Sequence, residues 1–228
     1  MEKIPIKHSR KLHVKMEKGR KRKTSSSRWI QRHINDQYVE SSKKLGYRSR
    51  ASFKLIEINN QFNLLKKNDQ VLDLGAAPGS WSQVALEIVK TKNSPDIVAL
   101  DLIALEPMAG IYCIKGDIHS EEIISKIAKH HPNQYDVILS DMAPNTSGHS
   151  STDHLKIIEL AETVLEIAKE LLKKKGKMAV KIFQGSEENL FIDEVKNYFT
   201  KVSRFKPKSS RKESSEIYVI AEGFSYEE

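Results

Sequence analysis

The chain has 228 residues, 39% of them hydrophobic and 30% charged, with a formal net charge of +8. That length suits one large domain, or one domain with an appendage, and the hydrophobic content suffices for a core. No apolar run approaches a bilayer span, no apolar segment near the start reads as a secretory signal, and the single cysteine, Cys113, excludes a disulfide framework, which together point to the cytoplasm.

The charge is lopsided. Residues 1–54 hold 17 Lys/Arg against 4 Asp/Glu, a balance of +13, whereas residues 55–228 hold 21 against 26, a balance of −5. A basic front is an electrostatic match for a phosphate backbone. A solubilising tail and a mitochondrial presequence are the other readings. The second is opposed by Glu2 and Glu17 and by "RKLHVKMEKGRKRKTSSS", which lacks the apolar face of an amphipathic helix.

In chain order, residues 1–25 read as a disordered basic arm, and residues 26–66 as a helical, RNA-binding extension of a single domain that runs to residue 228. Trp29, Ile30, His33 and Ile34 share a helical face, and a second helix is expected from about Ser49 to Phe62 with Phe53, Leu55, Ile56 and Ile58 inward. From residue 70 strands and helices alternate: "QVLDLG", then the helix "SWSQVALEIVK", "DIVALD", "GIYCIKGD", the helix "SEEIISKIAKHH", "YDVILSD" and the helix "TDHLKIIELAETVLEIAKELLKKKG". The lysines near the end of that last helix and Gly176 read as its dipole-matched final turn and its C-cap. "KMAVKIF", a helix near "NLFIDEVKNYFT", a short strand near 201–205 and "SEIYVIAEGF" complete the series. The pattern predicts an α/β, Rossmann-like fold: a seven-stranded, mostly parallel sheet with helices on both faces. The last two strands, joined only by "KPKSSRKESS", are expected to pair as a hairpin and supply one antiparallel edge strand.

"VLDLGAAPGSWS" runs from strand through glycine turn into helix. Gly75 and Gly79 permit a tight turn and close approach of a ligand, and the helix beginning near Ser80 directs N–H groups to the same place. The spacing is not the dinucleotide fingerprint, and no Gly-Lys-Ser/Thr is present, so a nicotinamide cofactor is disfavoured and a triphosphate loop excluded. Asp101 ends the second strand, where it can accept from ribose hydroxyls. Asp117 follows the third, where it can accept from an exocyclic amine. In an open α/β sheet both positions lie on the ligand edge. Lys181 raises a different question, because it sits mid-strand in "KMAVKIF", and lysine is almost never buried without a partner.

"DLGAAPGSWSQ", "SDMAPNTSG", "VKIFQG" and "SSEIYVIA" together resemble the FtsJ-type ribose 2'-O-methyltransferases, over roughly residues 23–223. The front segment "KTSSSRWIQRHINDQYVESSKKLGYRSRASFKL" resembles the ribosomal branch of that family. The resemblance implies S-adenosyl-L-methionine as methyl donor. Gly75, Gly79 and Trp81 would line its pocket, Asp101 and Asp117 would hold its nucleoside, and Asp141 would lie beside the sulfonium. It further implies a catalytic tetrad of Lys54, Asp141, Lys181 and Glu216. The family's usual Gly-Gly-Trp is Gly79-Ser80-Trp81 here, so the Ser80 side chain must point away from the cofactor.

The implied substrate is a uridine ribose of 23S rRNA, within the large ribosomal subunit. The chain is expected to be a monomer that needs neither metal nor membrane. Lys181 can serve as the base that takes the hydroxyl proton, or it can stay charged while Lys54 and Glu216 orient the hydroxyl; the sequence leaves both open. Trp29 can stack on a base or pack against the core. Arg32, Arg48, Arg50, Lys206, Lys208 and Arg211 are candidate phosphate contacts. The rival readings are a tRNA 2'-O-methyltransferase, a non-catalytic RNA-binding module on a methyltransferase fold, and a nicotinamide-dependent oxidoreductase.

Overall fold

The computed structural model describes residues 34–90, 97–132, 134–145 and 147–225. The expectations for residues 1–25, and for Trp29 and Arg32, lie outside that range. Two helices open the described chain. α1 (Gln37–Leu45) begins at Asp36, whose side chain accepts the Tyr38 N–H at 3.0 Å, and it ends at left-handed Gly46. α2 (Ser52–Phe62) buries Phe53, Leu55, Ile56 and Ile58, as its apolar spacing requires.

The α/β body follows: β1 (Val71–Leu74), α3 (Ser80–Val89), β2 (Ile97–Asp101), β3 (Ile111–Lys115), α4 (Glu121–His130), β4 (Tyr135–Ser140), α5 (Ser150–Leu171), β5 (Leu172–Phe183), α6 (Glu188–Lys196), β6 (Phe199–Phe205) and β7 (Glu216–Phe224). The strands form one seven-stranded sheet in the order β3-β2-β1-β4-β5-β7-β6. Pairing is parallel from β3 to β5, and β7 is antiparallel to both of its neighbours.

Two expectations need correction. The antiparallel strand is β7, which lies one place in from the edge; the edge strand is β6. After β5 the chain crosses over through α6 and enters β6 one strand further out, and the hairpin return then fills the place between them. The long helix stops at Leu171, not at a Gly176 cap. Lys173 to Lys175 belong to the start of β5, where the register slips between Tyr135↔Leu172 and Val137↔Lys177 and Lys175 takes φ +66°.

Strand alternation divides the core in two. Leu72, Val180, Ile182 and Val219 pack under α4, α5 and α6. Val71, Ala179, Tyr218 and Ile220 pack under α1, α2 and α3. Asp73 and Lys181 have the parity of the second set, so both charged groups face the layer that carries Lys54.

Candidate active site

Four charged side chains from distant stretches converge at the carboxyl edge of the parallel strands. Lys54 comes from α2, Asp141 directly follows β4, Lys181 lies near the end of β5, and Glu216 opens β7. Because β7 runs against its neighbours, it is its first residue that reaches this edge; the register sets Lys181 opposite Tyr218, and Phe183 opposite Glu216. Lys54 Nζ is 2.9 Å from Glu216 Oε2 and 3.6 Å from Asp141 Oδ1. Lys181 Nζ is 3.1 Å from the same Asp141 oxygen and donates to the Asp141 backbone carbonyl at 2.6 Å. The tetrad residues named from the sequence thus meet around Asp141.

The sequence reading missed Tyr218. Its hydroxyl donates to Asp141 Oδ1 at 2.6 Å, its ring centroid is 5.7 Å from Lys54 Nζ, and its other neighbour is the Trp81 ring, at 5.5 Å. Only the β5–β7 register reveals its place. Two residues past Glu216, Tyr218 otherwise reads as an ordinary inward strand residue.

The electrostatics are those of a compensated buried cluster. Burial pushes the Asp141 carboxyl up, but the Lys181 and Lys54 ammoniums and the Tyr218 hydroxyl outweigh it, and its pKa falls below the usual carboxylate range. Burial pushes the Lys54 ammonium down, and Asp141 and Glu216 outweigh that, so it holds its proton more tightly than free lysine. Burial, Asp141 and Glu216 together lift the Tyr218 phenol well above its ordinary value, which keeps it a donor. Two cations and two anions sharing a site of low dielectric need one another; removal of any one strands a charge.

The glycine turn lies along the same edge. Gly75 and Ala76 donate to the Leu100 carbonyl at 2.9 and 3.1 Å, and Ala77 donates to Asp101 Oδ2 at 2.9 Å, which ties the turn to the end of β2. Gly79 heads α3 at φ +107° without a side-chain cap. Ser80 is buried and donates to the Ser49 hydroxyl at 2.7 Å. The other Asp101 oxygen accepts the Ile103 N–H at 2.8 Å. Asp117 is more than half exposed, and its carboxyl is held low by the backbone N–H and the ring of His119.

Trp81 is a core residue here, 2% exposed, with its indole N–H donated to the Ala51 carbonyl at 2.9 Å. It braces the lead into α2 against the turn. Asp73, which that reading passed over, is fully buried. It accepts from Ser82 at 2.5 Å, and its second oxygen, Oδ1, has no hydrogen-bond partner among the described residues. Burial lifts its carboxyl to about 7, with Ser82 opposing and Asp141 and Asp101 adding to the rise. The anomaly that singled out Lys181, a charge inside a buried strand, was equally present in "VLDLG". An orphaned acceptor beneath a left-handed glycine turn, with acceptors at the ends of two adjacent strands, fits a nucleoside-bearing group with amine and hydroxyl donors.

The candidate phosphate contacts divide. Arg48 is spent within the chain: its guanidinium donates to the carbonyls of Pro78 and Glu106, both at 2.9 Å, clasping the glycine turn. Arg50 bonds Asp36 and the Ser209 carbonyl, and Lys206 donates to the Ser214 carbonyl at 2.6 Å. At Lys208 the recorded bond is a backbone one, to Glu57 of α2. Arg50 and Arg211 line a cavity of about 310 Å³ beside Lys54 and Glu216. Among the described residues no cluster of His, Cys, Asp or Glu is arranged to hold a metal ion, and no helix is long and apolar enough to cross a membrane.

Fold and site together are of the Rossmann-like methyltransferase class. More narrowly, the FtsJ-like methyltransferase family model matches residues 47–224, and the chain belongs to that family. It is 44% identical over 223 residues to the ribosomal RNA large subunit methyltransferase E of Paramagnetospirillum magneticum, covering 96% of this chain and 91% of the relative. To the protein of the same name from a Wolbachia of Brugia malayi it is 46% identical over 214 residues, covering 94% and 95%. A solved ribosomal RNA methyltransferase of Plasmodium falciparum superposes with a TM-score of 0.71 at 34% identity, covering 78% of this chain and 98% of that one.

Proposed function

We propose that the chain transfers a methyl group from S-adenosyl-L-methionine to the 2'-oxygen of a uridine ribose in 23S rRNA, on the large ribosomal subunit. The observation that carries this reading is the convergence of Lys54, Asp141, Lys181 and Glu216 at the edge that also bears the glycine turn. The relatives named for the large-subunit RNA support the substrate.

Gly75, Gly79, Asp101 and Asp117 would hold the cofactor, with Asp141 at its reactive end. When bound, it supplies a methyl already activated on positive sulfur. What the chain must add is a positioned, deprotonatable hydroxyl. Lys54 and Glu216, paired at 2.9 Å, are suited to orient that hydroxyl. Lys54 keeps its proton; the acceptor role is given to Lys181, whose nitrogen is aligned by the Asp141 carbonyl and carboxylate and which must first release its ammonium proton to take the one from the hydroxyl. Arg50 and Arg211 face the cavity next to the tetrad, where a backbone phosphate of the same strand would relieve their mutual repulsion.

The test is transfer of labelled methyl to large subunits, to naked 23S rRNA and to tRNA, with the modified ribose then mapped. Label at one 2'-oxygen of 23S rRNA is expected. Lys181→Arg should lose about 10²–10⁴ in kcat with cofactor binding retained. Turnover near that of the parent would overturn the base assignment, and label on tRNA alone would overturn the substrate.

A further inference from the structure

On the sheet face opposite the tetrad, α5 and α6 enclose a groove of about 270 Å³. Each helix presents the same spacing to it. Leu155, Ile158, Glu159 and Glu162 lie at i, i+3, i+4 and i+7 on α5, and Glu187 with Leu190, Phe191 and Glu194 repeats the pattern at α6. Ile158 and Phe191 form a buried floor, while Leu155 and Leu190 stand 56% and 67% exposed beside it. Among the described residues no cation pairs with Glu159, Glu162 or Glu187, and Glu194 reaches only Lys169, at 4.0 Å. Burial, and then Glu194 and Glu159, raise the Glu162 carboxyl, as expected of acids crowded without a counter-charge. A groove of this sign repels a phosphate backbone. It suits a cationic polypeptide that carries apolar anchors.

We propose that this groove docks the chain's own basic arm, within residues 3–23. Residues 1–33 hold 12 Lys/Arg against 2 acids, the densest positive charge in the chain. Within them "KLHVKM" alternates, so an extended backbone would set Leu12, Val14 and Met16 on one side and Lys11 and Lys15 on the other. The first would meet the leucines; the long lysine stems can bend to the glutamate rims. Reach is sufficient. The stretch from Leu12 to Ile34 spans up to about 75 Å when extended, against a path of roughly 70 Å halfway round a compact chain of this length. The groove would hold the arm when RNA is absent, and a polyanion would compete for it.

The test uses the full chain and a zero-length carbodiimide at low salt, with the joined peptides read by mass spectrometry. Arm lysines should couple to Glu159, Glu162, Glu187 and Glu194 in preference to the exposed Glu166 and Asp193 outside the groove. The coupling should fade at about 0.5 M salt and on addition of polyuridylate. Leu155→Ser with Leu190→Ser leaves every carboxylate in place and should reduce the coupling about tenfold. Coupling spread evenly over exposed carboxylates, or unchanged in the leucine variant, would overturn the proposal. So would joined peptides that pair heavy- with light-isotope chains in a mixed sample, since the occupant would then be a second copy's arm. The readout needs no methyl transfer, so its failure is separate from failure of the proposed reaction.

Discussion

At the scale of single residues, the site depends on charges that could not stay buried alone. Tyr218 tests this directly. Tyr218→Phe keeps the ring that packs on Trp81 and removes only the hydroxyl that Asp141 accepts. The variant should fold, lose about 1–3 kcal/mol of stability in chemical denaturation, and turn over roughly tenfold more slowly with its cofactor affinity little changed. Asp73 gives a prediction of opposite sign. Its carboxyl is raised to about 7, so between pH 4 and 7 the folded chain holds a proton that the unfolded chain has released, and stability falls as pH rises. The full effect is on the order of 4 kcal/mol. Asp73→Asn should flatten that slope, so denaturation midpoints at pH 5 and pH 8 should lie closer together in the variant than in the parent. A variant with an unaltered slope would show that Asp73 is not the group responsible. Lys181 was legible in the sequence because a lone charge in an apolar strand is a physical contradiction. Asp73 was legible by the same rule and was overlooked. Tyr218 was not, because nothing local distinguishes a tyrosine that serves a carboxylate from one that fills a core.

At the scale of elements, the glycine turn and the loop after β4 interlock. A Cβ on Gly75, at φ +74°, would stand 2.2 Å from Met142 Cγ, and Met142 is the neighbour of Asp141. Gly75→Ala should therefore displace Asp141 as well as strain the turn, weakening cofactor binding in calorimetry and lowering the rate by tenfold or more, about 1.4 kcal/mol. Gly46→Ala is the matched comparison: φ is +76°, yet none of the described residues lies within 4 Å of the added carbon. It should cost only the left-handed penalty, about 1–2 kcal/mol of stability, and leave the rate unchanged. The helices and strands were readable because their apolar periods are clear. The end of α5 was not. Three lysines followed by glycine look like a helix terminus, but here they form the irregular entry of β5, a choice made by pairing with β4. Likewise the basic stretch that makes Arg48 a candidate phosphate contact gives no sign of its partners within the fold, the Pro78 and Glu106 carbonyls, which are supplied by loops 30 and 58 residues away.

At the scale of the whole molecule, the charge imbalance sets how the chain should meet its substrate. With +13 in residues 1–54 and −5 in the rest, affinity for RNA should fall linearly in log–log form as salt rises, and removal of residues 1–33 should make that slope markedly shallower. Filter binding over a salt series measures both. That β1 to β5 run parallel was readable because strands alternating with helices admit little else. The position of β7 escaped because two strands joined by a loop can pair at an edge or straddle one, and the choice depends on where the α6 crossover sets β6 down.

That placement has a consequence for how the protein is made. β7 is wedged between two strands translated before it, so β6 must wait outside the sheet until β7 has been made. A nascent chain that ends before Glu216 already carries its glycine turn and three of the four charged groups, yet Lys54 has lost its closest counter-ion and β6 has no neighbour. Catalytic competence therefore waits for β7, and an enzyme built to mark ribosomal RNA stays silent until that strand has emerged from the ribosome producing it.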